Sequence, residues 1–278
     1  MMSGGSWLRG LLVGALCMIV VVGTSHAAER FITLASTTST DNSGLFRYLL
    51  PKFIARTGIA VRVVAVGTGA ALRLGSRGDA DVLLVHAPDQ EKKFVAAGHG
   101  IGRQPVMHND FVFVGPRSDP ARIMGLRQAA DVLRRLYHAK TTFASRGDNS
   151  GTHLKERALW RATGLKPHDF SGRWYLETGS GMGATLNLAA ARAAYTLADR
   201  ATWLAFRNKG DLVLLSDGDK LLANPYSVIV VNPAKHPGVK VGGATALASW
   251  LTGNEGQTAI AAYRIAGQQV FFPDSGPK

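Results

Sequence analysis

The chain has 278 residues, 46% of them hydrophobic, a single cysteine and a formal net charge of +13. That length allows one or two domains with sizeable cores, and the lone Cys17 excludes a disulfide framework, thiolate zinc sites and cysteine catalysis from everything after residue 17. The basic residues are scattered, with no block of five or more; such a surface attracts anions or is simply solvated, and no recognition motif points to nucleic acid.

Residues 1–27 read as a secretory signal peptide. Arg9 is their only charge, Leu11 to Gly23 is almost wholly apolar, and Ser25-His26-Ala27 is a small-x-small cleavage signal. The apolar run is short for a membrane span, which needs about 20 residues. Cys17 follows Leu16 rather than a small residue, which argues against a lipid anchor. Cleavage after Ala27 would leave a periplasmic protein of about +12, since only Arg9 is lost.

Beyond the signal peptide, apolar β-rich runs alternate with helical patterns, which favours an α/β fold with mainly parallel sheets. Phe31–Ser36 reads as a strand. Residues 43–56 carry Leu45, Phe46, Leu49, Leu50, Phe53 and Ile54 at helical spacing, with a kink expected at Pro51 and a stop at Gly58. Ile59–Val66 is the next strand, a short helix follows Gly69, Asp81–His86 is a strand, and Asp89 is a suitable cap for a helix over 90–97. Asp110–Gly115 and Tyr226–Val231 look alike, both apolar inside and bounded by turn residues, and are expected to be two crossovers between lobes. Between them the pattern predicts helices near 127–138, 151–163, 183–193 and 199–207 and strands near 141–145, 173–177 and 195–197. Two helices, near 243–251 and 255–264, and an extended tail complete the chain. The expected organisation is therefore a discontinuous first lobe, 28–112 with 229–278, and a second lobe, 113–228. Ligands in such lobes sit at the carboxyl ends of strands.

Four strand–helix junctions carry the candidate chemistry. At 145–153, SRGDNSGTH places Arg146 ahead of Ser150, Gly151 and Thr152, and a helix starting near Ser150 would aim free backbone N–H groups at the same place. Arg146 can give two parallel hydrogen bonds to an oxyanion, or bridge to Asp148 in its own loop, or do both. At 36–40, STTST sets Thr37, Thr38 and Ser39 before a helix, though Ser43 could be a plain cap. Gly67-Thr68-Gly69 repeats the theme but is no dinucleotide fingerprint, since Leu72 stands at the third glycine position, and no GKS or GKT is present. At 179–185, GSGMGAT offers Gly183 near a helix start, or else only a tightly packed turn.

Other readings are weaker. The two RGD triplets, at 77–79 and 146–148, fall at strand–helix or helix–strand junctions rather than in adhesive loops. His86, His108 and His153 show no metal-ligand spacing, so no metal cation site is expected. A serine hydrolase would want G-x-S-x-G, which is missing; Ser150 with His153 is the sole nearby nucleophile–base pair and lacks a third member.

STTSTDNSGL, AVGTGAAL, GDADVLLVHAP, VMHNDFVFVGP, SRGDNSGTH, GSGMGATL, AYTLADRATW and NPYSVIVVNP occur in that order. Together they resemble the extracytoplasmic tungstate-binding proteins of ABC transporters, over roughly 31–234. The resemblance implies a type II periplasmic-binding-protein fold, two lobes closing on one oxyanion, delivery to a membrane ABC permease, and no catalysis or cofactor. It also implies Thr38, Ser39, Thr68 and Arg146 with Ser150–Thr152 as ligand contacts. A monomer is expected. The motif around Arg146 is similar to that of phosphate-binding relatives too. Phosphate keeps a proton near pH 7, and Asp148 could accept it. Molybdate matches tungstate in charge and nearly in size, so both remain alternatives to tungstate.

Overall fold

The computed structural model describes residues 31–275; the expected signal peptide and Cys17 lie outside them. The elements in chain order are β1 (Phe31–Thr37), α1 (Thr38–Asn42), α2 (Leu45–Thr57), β2 (Ala60–Val66), α3 (Thr68–Arg77), β3 (Val82–Val85), α4 (Pro88–Ala96) and β4 (Gly100–Pro116). They continue with α5 (Ala129–Ala139), β5 (Phe143–Ser145), α6 (Gly151–Thr163), β6 (Tyr175–Glu177), α7 (Met182–Arg192), β7 (Tyr195–Asp199), α8 (Arg200–Ala205), β8 (Leu212–Ser216), β9 (Ala223–Val231), α9 (Val241–Thr252) and α10 (Asn254–Ala262). Among the described residues no helix is long and apolar enough to cross a membrane.

The strands run in the order β2-β1-β3-β9-β4-β7-β5-β6. The flanks are parallel, β1 with β2 and β3, and β5 with β6 and β7. Antiparallel β9 and β4 join them. Strand β4 belongs to both halves: its stretch to Asp110 pairs with β9, and from Phe111 onward it pairs with β7 and β8. The chain passes between the halves at Asp110–Phe111 and again ahead of Ala223. Residues 223–228 thus pair in the first half, and Tyr226 and Val228 pack into its core.

Alternation along the strands explains why they read as unbroken apolar runs. Val82, Leu84, Val228 and Val230 fill one side of the first half, while Leu83, Val85, Ile229 and Val231 fill the other. In the second half Phe111 and Phe113 face one core, and Val112 and Val114 the other. Both faces are covered by helices, as parallel sheets require.

The structure departs from expectation in several places. Residues 38–42 form a short helix because Thr37, in an extended conformation, accepts the Thr40 N–H and caps it. As expected, helix α2 ends at Gly58, whose φ of 71° suits glycine, with Pro51 inside it. Strand β4 is far longer than Asp110–Gly115, and β8 was not foreseen.

Candidate anion-binding site

Three junctions from the two sheet halves face one another. Ser150 caps α6 by accepting the His153 N–H, and Gly151 and Thr152 form the first turn. Gly67 caps α3, with Thr68 as its first residue. A Cβ placed on Gly67 would lie 4.0 Å from the Ser150 Cα, and one on Gly151 would come 2.5 Å from the His86 ring. His86 in turn sits 3.1 Å from the Thr37 hydroxyl. The fourth element is the start of α8. Asp199 caps it, and the Thr202 hydroxyl donates to the Ser39 carbonyl at 3.4 Å.

Arg146 is only 3% exposed. Its Nη2 meets Asp148 Oδ2 at 2.5 Å, the bridge within its own loop, and its Nε donates to the Ser180 carbonyl at 3.3 Å. The second Asp148 oxygen accepts the Ser150 N–H, which ties the arginine to the cap of α6. A guanidinium has five N–H donors, so two bonds leave donors to spare.

The hydroxyls of Thr68 and Thr152 and the Oδ2 of Asp199 are buried without a hydrogen-bond partner. Such groups cost about 1–3 kcal/mol each; other buried atoms, among them Thr141 Oγ1 and Trp174 Nε1, also lack a partner, so it is the position of Thr68 and Thr152 at facing helix starts that singles them out. Burial pushes the Asp199 carboxyl above its ordinary range, its bonds from Thr202 oppose that, and the charge of Arg146 pulls it back further.

The other predicted residues fall around this centre. Thr37 and Ser39 are buried, with their hydroxyls 3.1 Å apart, and Thr38 is half-buried at the start of α1. Gly183 lies in the first turn of α7, with open space around it. The loop before α7 supports Arg146 from behind: Ser180 accepts its Nε–H, and the Thr178 hydroxyl donates to its carbonyl. A groove of about 340 Å³ opens beside the site between α4 and α6, lined by His86, Pro88, Gln90, Gly151, Lys155 and Arg161.

The hydrolase pair does not form. The Ser150 hydroxyl accepts the backbone N–H of His153, and the His153 ring is engaged elsewhere, its Nδ1 accepting the Asn149 N–H at 3.0 Å. The structure does bring His153, His168 and Glu177 within 4.8 Å of one another, which their sequence spacing concealed. Neutral His153 then carries its proton on Nε2 and has no free lone pair for a cation.

Sequence reasoning missed His86 and Asp199 as parts of the site. Asp199-x-x-Thr202 is the same strand-to-helix capping signature as the other junctions, and that signal was available. His86 had no local signal, since its partners are remote in sequence.

The strand–helix junctions of two α/β halves thus meet, and comparisons with known proteins show the family. The family model of the PBP superfamily domain matches residues 22–255. The tungstate-binding protein TupA of Peptoclostridium acidaminophilum is 45% identical over 252 residues, covering 89% of this chain and 87% of that protein. The structure of TupA from Desulfovibrio alaskensis G20 aligns with a TM-score of 0.77 at 42% identity, over 88% of this chain and all but 1% of the other. The tungstate ABC transporter structure from Geobacter sulfurreducens gives 0.78 at 49% identity, over 85% of this chain and 100% of that one. The chain belongs to the PBP superfamily and, within it, to the family of tungstate-binding proteins of ABC transporters.

Proposed function

We propose that this protein captures tungstate outside the cytoplasmic membrane, as a cleaved, periplasmic monomer, and delivers it to an ABC permease. The observation that carries the reading is the pair of buried, unpartnered hydroxyls of Thr68 and Thr152 at two facing helix starts, one of them tied through Asp148 to Arg146. Tungstate is a tetrahedral dianion that only accepts hydrogen bonds. Neutral hydroxyls and backbone amides serve it without the desolvation cost of several buried cations. The contact set is Thr37, Thr38, Ser39, Thr68, Arg146, Ser150, Gly151, Thr152 and Gly183. One guanidinium supplies full charge, and the positive ends of α3 and α6 supplement it.

The two sheet halves act as lobes, hinged where β4 and the approach to β9 pass between them. Closing them completes the donor shell and excludes water. The site binds and releases; it performs no bond chemistry. Calorimetry on the purified protein tests the reading. Tight binding of tungstate, weaker binding of molybdate and almost none of phosphate are expected, and the reverse order would sink it. Native mass spectrometry identifies the captured anion by mass and isotope pattern.

A further inference from the structure

His86 follows β3 and lies outside every donor loop, yet it touches two of them. Its Nδ1 is 2.8 Å from Asn224 Oδ1 and its Nε2 is 3.1 Å from the Thr37 hydroxyl. Asn224 uses its Nδ2 to donate to Asn109 at 2.6 Å and to the Tyr226 hydroxyl at 3.2 Å, which leaves Oδ1 for the imidazole. The ring proton therefore sits on Nδ1, and Nε2 offers a lone pair. The Thr37 hydroxyl is then the donor to His86. Its oxygen accepts the Thr40 N–H at 3.3 Å and the Thr40 hydroxyl at 2.6 Å. With its proton and both lone pairs engaged, Thr37 has nothing left to give an anion. Ser39, 2% exposed and 3.1 Å from that oxygen, keeps its hydroxyl proton.

We propose that His86 is a positioning residue of the anion site: by accepting the Thr37 hydroxyl proton it makes Thr37 a relay and leaves Ser39 as the hydroxyl donor of that junction. This deepens the tungstate reading and rests on it, and it removes Thr37 from the contact set.

The seat of the ring supports the role. It stacks on Tyr226 with centroids 4.7 Å apart, and Gly151 of the opposite sheet half covers it so closely that a Cβ there would overlap Cε1. Asn224 holds it from β9 and is itself held by Asn109 of β4. Burial keeps the ring neutral, lowering its pKa to about 4; the Asn224 bond opposes this, and the cations Arg146 and Lys155 reinforce it. An acceptor at Nε2 requires that neutral form at pH 7.

Two measurements test this. In histidine-labelled protein loaded with tungstate, ¹⁵N-edited NMR at pH 7 is expected to show His86 protonated on Nδ1 and bare on Nε2; a proton on Nε2 overturns the proposal. By calorimetry, His86→Phe, which keeps the stacked ring and loses both nitrogens, is expected to weaken tungstate binding at least about tenfold. Thr37→Val should do the same, and the double variant should bind no worse than about the weaker single, because both break one relay. Additive losses overturn the relay. Should His86→Phe fail to fold, Thr37→Val and the tautomer still decide. A wild type that ignores tungstate defeats the site reading itself, whereas a wild type that binds tightly with unchanged His86→Phe affinity defeats only the part given to His86.

Discussion

Arg146 and Arg200 both follow a strand of the second sheet half, and both touch aspartates, yet their surroundings differ in one decisive way. Arg200 gives Nε and Nη2 to the two oxygens of Asp110, at 2.7 and 2.6 Å, and Nη2 again to Asp217 at 2.7 Å. Two carboxylates outweigh its single charge, and the side chain is 20% exposed. Asp110 is the point where β4 leaves β9 for β7, so this is a clamp at the passage between halves. Arg146 meets one carboxylate, is almost fully buried, and is tied through Asp148 to the cap of α6, the helix whose first turn carries the unpartnered Thr152 hydroxyl. Leftover donors at helix starts near a buried arginine, rather than the mere presence of one, are the ground for placing the proposed anion there.

That contrast is open to direct attack. Arg146→Ala is expected to cost tungstate at least tenfold in affinity, about 1.4 kcal/mol, and up to about a hundredfold, because a charge-assisted bond is lost in a dry site. Titration calorimetry reads it, and unaltered affinity would take Arg146 out of the pocket. Arg200→Ala should do the opposite. Its partly exposed pairs are screened, so a stability loss of about 1–2 kcal/mol in urea is expected, with tungstate affinity kept within about threefold. If instead Arg200→Ala abolishes binding without loss of stability, the clamp reading fails.

Thr68→Val sharpens the comparison at a single atom. The change keeps the shape and removes a buried hydroxyl that has no protein partner. The anion-free protein should unfold no more easily, and by the cost of such a group could gain as much as about 1 kcal/mol. Tungstate affinity should fall about fivefold, roughly 1 kcal/mol. Retained affinity with lower stability would mean that the hydroxyl serves the fold and not the ligand.

The same distinction separates what the sequence showed from what it hid. Strands such as Val82–Val85 and Tyr195–Asp199 were legible because burial on two faces leaves unbroken apolar runs, and helices such as α6 because Ser150 and Gly164 mark their ends. Leu212–Ser216 is a run of the same kind, bounded by Gly210-Asp211 and Asp217-Gly218, so its signal was equally available in the sequence. The first part of β4 carries Gly, Arg and Pro and is largely exposed, so only its pairing with β9 makes it a strand. At the site, the hydroxyl- and glycine-rich junctions announced themselves locally. His86 did not, since it works through Asn224, 138 residues away, and through the Gly151 roof. Residues whose chemistry depends on topology are invisible until the topology is known.

The smallest expected effect links the two buried features of the site. Burial is the main reason His86 stays neutral, but the charge of Arg146 contributes. Removing that charge in Arg146→Ala should move the His86 pKa up from about 4 toward, without reaching, the ordinary value of 6.5. Stability against pH follows from the same groups. Below about pH 6.5 the unfolded chain takes up a proton at His86 that the folded protein refuses, so His86 costs stability as the pH falls from there to about 4. In Arg146→Ala the folded protein accepts that proton sooner, and the decline should be shallower. Histidine NMR titration gives the pKa and urea melts across that window give the slope. An unmoved pKa would place Arg146 too far from His86 for the two to share one site, and the spare guanidinium donors would then have to serve something other than the anion cage.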